Sequence, residues 1–382
     1  LVFAPRCARI AHMTSIAAEA PEMGPRIALA REESGLTQAE LARSVGIDRT
    51  AVAKIESGRR KVSASELVRM AAALDRPIDW FVSESPPAIV SRRHDPAAGG
   101  VSKVLDRTIE RLARDVEFLE LEGVLPAIEP TRLSMPVSTD EAEAAAVAVR
   151  GLMEAGTGPV HDLQRCCERV GLLAFSVNLG EDDSGDAAYV AVNKWGVALV
   201  NGAINAGRRR FNLAHELGHH VFADAYAPEA TISPGSETER LINAFAVHVL
   251  LPREVVVDTW KAFTDPRLAA VAIGVRCRAS WTAVCGQLKN LGLIDEDLRV
   301  DLTGNPPTAS DFVELGERWV SELDPPSTPP EYGRRVLGAF RNGRLSAART
   351  VELLWGEVAE EELPEQHSVP LEGLLREFDT LP

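Results

Sequence analysis

The sequence predicts a mainly α protein with a small β-sheet, an α+β class, on three observations. Apolar residues recur at helical spacing from about residue 24 almost to the end of the chain. Two adjoining stretches, VGLLAFSVNLG and AAYVAVNKWGVALVNG, are rich in Val, Leu and Ala between Gly and Asn and read as strands. The 382 residues are 45% hydrophobic and 25% charged, enough apolar material for two or three separate cores.

Along the chain, residues 1–23 read as a disordered tail with no clear secretion signal. Residues 24–84 are dense in short helical patterns and form a first domain. Residues 85–137 read as a linker and connecting helix. ESPPAIVSRRHDPAAGG mixes Pro, Gly and charge, and the helix VSKVLDRTIERLARDVEFLELEGVL follows, with Val104, Ile109, Leu112, Val116 and Leu119 at helical spacing. A second domain, residues 138–295, opens with Ser138 and Glu141 as a capping box and then runs through the two strand stretches. Residues 296–382 form a helical C-terminal region, broken at GNPPTAS and DPPSTPPEYG.

No apolar run approaches the roughly 18 residues that span a bilayer. Cys7, Cys166, Cys167, Cys277 and Cys285 are odd in number and include no C-x-x-C pair, so reduced structural thiols in a cytoplasm are expected. A net charge of −15 argues against general coating of nucleic acid while allowing one locally basic face.

Such a face belongs to TQAELARSVGIDRTAVAKIESGRRK. Leu41 and Val45 point inward on one helix, Ala42 is small where the helices cross, and Gly46 sits at the bend. Ile47, Val52 and Ile55 pack the next helix, which Asp48 is placed to cap. The stretch resembles the XRE (Cro/repressor-like) DNA-binding family over about residues 24–82, which implies a five-helix helix-turn-helix domain. The resemblance further implies that Arg49, Thr50 and Lys54 reach base edges of operator DNA, while Gln38, Arg59, Arg60 and Lys61 contact phosphates. Asp48 and Glu56 put negative charge into that same segment.

FNLAHELGHHVF places three of the eight histidines within six residues. His215 and His219 are four apart, so on a helix they project from one face, with Glu216 beside them. Two imidazoles can hold zinc, and the adjacent carboxylate can take a proton from metal-bound water. By composition this pattern arises in about one chain in a hundred. In the downstream helix ETERLINAFAVHVLLP, Glu239 can supply a third ligand. Asn243, one turn on, can accept the ring N–H of a ligating histidine. Manganese or iron also fits two histidines and a carboxylate.

RRRFNLAHELGHHVF followed by ETERLINAFAVHVLLP resembles the ImmA/IrrE metallopeptidase family over roughly residues 138–295. The resemblance implies a gluzincin-like fold with His215, His219 and Glu239 as metal ligands and Glu216 as general base. It also implies a protein substrate or partner of the repressor or toxin kind. His248 and Val249 stand where small or apolar residues are usual. His248 falls on the helix face opposite Glu239, and His220 points away from the pair, so both read as packing residues. An oxyanion donor is not identified; Tyr226 and the arginines of RRR are the candidates. The expected protein is a cytoplasmic DNA-binding regulator with a zinc endopeptidase domain and no membrane partner, and homodimerisation is compatible with it. The competing expectation is a non-proteolytic regulator or antitoxin using the same fold to bind a partner. The two helices around Gly343 are expected to cover the core.

Overall fold

A computed structural model describes residues 23–76, 78–82, 91–94, 102–180, 185–222 and 237–367. It divides into two compact units, Leu1–Pro86 and Pro87–Pro382. The tail expected over 1–23 lies almost wholly outside the described residues.

In the first unit the described residues form five helices: α1 Met23–Glu33, α2 Gln38–Val45, α3 Arg49–Glu56, α4 Ala64–Ala73 and α5 Ile78–Val82. Thr37 and Glu40 close a capping box at the start of α2. At its end Gly46 takes φ 73°, a left-handed conformation that a Cβ would strain, and its N–H returns to Ala42 O. Asp48 stands at the N-cap of α3 but makes no side-chain cap bond. Ile27, Leu41, Val45, Val52, Ile55, Met70 and Phe81 close the core.

The second unit is built on a four-stranded sheet of order β1-β3-β4-β2, with β1 Ser91–His94, β2 Leu172–Val177, β3 Gly185–Val192 and β4 Trp195–Asn201. β1 and β4 run antiparallel to β3, while β2 runs parallel to β4. Both faces of the sheet are covered, which is why its strands read as continuous apolar runs instead of an alternation. Leu173, Phe175, Val190, Val197 and Leu199 pack against α6 Lys103–Leu121, α16 Pro330–Arg341 and α17 Ala347–Leu353. Leu172, Ala174, Ala187, Tyr189 and Val200 face the other layer. That layer contains α7 Thr139–Leu152, α8 Leu163–Arg169, α9 Ala206–Val221, α10 Glu237–Leu250, α11 Arg253–Lys261, α12 Pro266–Cys277 and α13 Trp281–Asn290. Two further helices, α14 Glu296–Gly304 and α15 Ala309–Leu315, follow before the chain crosses back.

The expected linker is therefore only partly a linker. Ser91–His94 forms the edge strand on β3, and α6 buries Leu105, Ile109, Leu112, Val116 and Leu119 as a structural layer of the second unit. Val104 is 49% exposed, and Leu105 takes the inward place expected of it. Periodicity marks an apolar face without naming what it packs on. At α7, Ser138 accepts from Glu141 N, but the Glu141 carboxylate accepts from Val137 N, so the return bond of the expected box falls one residue upstream. The C-terminal helices cover the sheet as expected, with Tyr332 edge-on to Phe175 at 5.0 Å. Cys166, Cys167, Cys277 and Cys285 are free thiols in the interior, and burial pushes each of them up from its ordinary pKa. Cys7 lies outside the described residues. Among the described residues no single helix is long and apolar enough to cross a membrane.

Candidate functional site

Helix α9 begins where the Asn205 side chain accepts from Gly207 N, and it carries the histidine motif through the interior of the second unit. His215, Glu216 and His219 have no exposed surface. Helix α10 crosses α9 closely because residue 218 is glycine: a Cβ there would stand 2.8 Å from Ile242 Cγ2. That approach lifts Glu239 to the two imidazoles. His215 Nε2 lies 3.0 Å from His219 Nε2 and 3.2 Å from Glu239 Oε2, and His219 Nε2 lies 3.4 Å from Glu239 Oε1. A tetrahedral ion with bonds of about 2.1 Å separates its ligand atoms by about 3.4 Å, so this donor set has the dimensions of a divalent-metal site. His215 Nδ1 lies 3.0 Å from Asn243 Oδ1, a bond that puts the ring proton on Nδ1 and leaves the Nε2 lone pair directed at the cluster. Burial raises the Glu239 carboxyl, but the His215 and His219 imidazoles beside it lower it by more, so it lies well below its usual range. The structure thus brings together His215, His219, Glu239 and Asn243.

His220 does not join them. It is buried, with Nε2 2.9 Å from Val170 O and Nδ1 3.2 Å from the Tyr189 hydroxyl. Burial pushes this imidazole down to about 4, so the ring is neutral, with its proton on Nε2. Nδ1 then accepts from Tyr189, whose hydroxyl burial keeps protonated. The sequence shows no sign of this pairing, since Tyr189 sits in the middle of an apolar strand. His248 is also structural, 3.2 Å from Gln287 and 3.8 Å from Glu143.

The RRR arginines are engaged elsewhere. Arg208 pairs with Asp186 at 2.5 Å. Arg209 donates to Gly202 O at 2.9 Å and pairs with Asp324 at 2.6 Å. Arg210, fully buried, pairs with Glu322 and donates to Val160 O. These contacts tie α9 to the returning segment before α16, so the expectation of an oxyanion donor among them is not supported. Tyr226 lies outside the described residues.

In the first unit Arg49, Thr50 and Lys54 are exposed along α3, and Arg59 and Lys61 are exposed after it. Of the other expected phosphate contacts, Arg60 pairs with Glu66 at 2.7 Å and Gln38 donates to Glu56 at 2.7 Å within the unit. Glu56 corrects a further expectation. Its side chain is only 7% exposed and pairs with Arg31 at 2.6 Å, so it places no free negative charge on the outer face of α3.

A helix with a basic outer face and a His-His-Glu cluster whose histidines are buried together define a DNA-binding protein with a metallopeptidase-like domain. The family comparisons agree. Residues 27–81 match the helix-turn-helix family, and residues 167–285 match the IrrE N-terminal-like domain family of M78 peptidases. The chain is a fusion of an XRE-type helix-turn-helix domain and an IrrE-like domain. It is also similar, 40% identical over 62 residues, to an uncharacterized transcriptional regulator in the ATPase CF(0) region of Rhodospirillum rubrum. That match spans 16% of this chain and 57% of the relative's length. The crystal structure of Bacillus thuringiensis PlcR in complex with the peptide PapR7 and DNA aligns over 87% of this chain and 92% of that one. Identity there is 12% and the TM-score 0.17, too low to relate the two folds.

Proposed function

We propose that the protein is a DNA-binding transcriptional regulator whose second unit is a zinc-dependent endopeptidase acting on a regulatory protein of the repressor kind. One observation carries this reading: His215, His219 and Glu239 each offer a ligand atom, and these atoms all lie within 4.8 Å of one another. Two imidazoles and one carboxylate leave a fourth position for water.

When bound there, a zinc ion supplies Lewis acidity that makes water a nucleophile near neutral pH and polarises a scissile carbonyl. Asn243 accepts the Nδ1–H of His215 and fixes the orientation of that ring. Glu216, beside both histidines on α9, takes the water proton and returns it to the leaving amine. Arg49, Thr50 and Lys54 read the major groove of operator DNA from α3, while Arg59 and Lys61 bind phosphates. The operator then brings the peptidase to the proteins that act at that promoter.

The test is Glu216→Gln in the full-length chain. It is expected to keep the metal and DNA binding, and to lose about 10²–10⁴-fold of the cleavage rate on the neighbouring regulator. If a chromosomal Glu216→Gln strain regulates its target as the wild type does, proteolysis is not the function, and the fold serves partner binding.

A further inference from the structure

We infer that Tyr189 and His220 are positioning residues that set the rotation of α9 about its axis and thereby aim Glu216 at the metal centre. The inference rests on the metallopeptidase reading and adds to it how the base is held.

Arg209, Asn212, Glu216 and His220 stand three, four and four residues apart on α9, and are 5%, 1%, 0% and 0% exposed. At about 100° per residue they share one arc of the helix. Glu216, itself part of this stripe, lies roughly 60° from His219 on one side and roughly 40° from His220 on the other. The stripe is bonded toward the sheet at both ends. Arg209 donates to Gly202 O at 2.9 Å, and His220 bridges Val170 O at 2.9 Å and the Tyr189 hydroxyl at 3.2 Å. Arg132 Nη1 donates to His220 O at 3.0 Å and Leu133 N to Val221 O at 2.7 Å, which fixes the same end along the axis.

The imidazole sits in a slot made for it. A Cβ on residue 196 of β4 would stand 2.4 Å from His220 Nδ1, and residue 196 is glycine. An apolar side chain could supply the volume without the cost of burying polar atoms, a cost that His220 meets only by bonding through both nitrogens. What those two bonds add beyond volume is direction. A rotation of about 10° moves a group about 6 Å from the helix axis by about 1 Å. A displacement of about 1 Å in a reacting group can cost about 100-fold in rate. The bonds of His220 to Tyr189 on β3 and to Val170 O just before β2 oppose such a rotation directly.

The experiment uses the full-length protein loaded with one equivalent of Co²⁺, whose d–d spectrum reports the solvent bound at the metal. Five proteins are compared: wild type, Glu216→Gln, Tyr189→Phe, His220→Phe and His220→Gln. Melting of each apo form shows that the fold is kept. Co²⁺ affinity is expected to stay within about threefold of wild type in all of them, because His215, His219 and Glu239 are intact. The spectra of Tyr189→Phe and His220→Phe are expected to move toward that of Glu216→Gln. His220→Gln, which restores a donor and an acceptor, is expected to return toward wild type. Should His220→Phe fail to fold, Tyr189→Phe, which removes a single oxygen, decides the matter alone. Wild-type spectra in Tyr189→Phe and His220→Phe beside a shifted Glu216→Gln overturn this inference and leave the metallopeptidase reading standing. No Co²⁺ binding by wild type, or no spectral change in Glu216→Gln, overturns both.

Discussion

Arg49, Thr50 and Lys54 of the helix-turn-helix unit lie exposed on α3, whereas His215, Glu216 and His219 of the second unit have no exposed surface. In the first unit the nearly enclosed Arg31–Glu56 pair joins α1 to α3. A duplex is read by donors that exchange water for base edges, so they must stand outside. Bond cleavage gains from groups held away from water, where each charge acts more strongly. Substitution should therefore act in graded steps on the first unit's outer face and in all-or-none fashion at the second unit's centre.

The largest effect tests the buried side of the contrast. His215→Ala or Glu239→Ala is expected to take metal content from about one ion per chain to none, with DNA binding retained. Elemental analysis showing full occupancy in both variants would remove the metal assignment. Glu56→Ala comes next. It leaves Arg31 half-partnered in a nearly dry setting, and is expected to cost the first unit about 2 kcal/mol or more in denaturant unfolding, with no gain in DNA affinity. Tighter operator binding in that variant would mean that Glu56 does act on the outer face. Arg49→Ala should cost roughly 1–3 kcal/mol of discrimination between operator and mutated operator, read by competition binding at fixed salt. Equal loss on all sequences would move Arg49 to the phosphates.

The smallest effect concerns a buried charge that belongs to neither site. Burial pushes Asp115 on α6 up to about 6, against the opposing pull of Arg349 on α17 at 2.7 Å. Between its unfolded value of about 3.9 and the folded value, the folded chain binds more protons, so this group lowers stability as pH rises through that window. Asp115→Asn is expected to melt about 2 °C above wild type near pH 7 and to lose that advantage near pH 4. An advantage independent of pH would show that Asp115 does not titrate in this range.

The histidine motif was legible because a helix repeats every 3.6 residues, so the spacing of His215, Glu216 and His219 already states their relative directions. Glu239 and Asn243 were legible for the same reason, once a second helix was granted. The recognition helix announced itself through Ala42, Gly46, Val52 and Ile55. Ser91–His94 was not legible as a strand, because four residues between prolines carry too little pattern. Nor was the inward turn of Glu56, which depends on Arg31 lying across from it, 25 residues away in sequence.

Local spacing by itself determined the α+β class, the helix-turn-helix register and the identity of the His-His-Glu set, since each follows from periods and caps within a few turns of chain. Only the tertiary structure decided which charges face water and which face one another. It made α6 a layer of the second unit, drew Gln38, Arg60 and Glu56 into internal bonds, and set His220 against Tyr189 and Val170. Those outcomes depend on contacts between residues distant in sequence, and a buried polar group is satisfied by whatever donor or acceptor the fold carries to it.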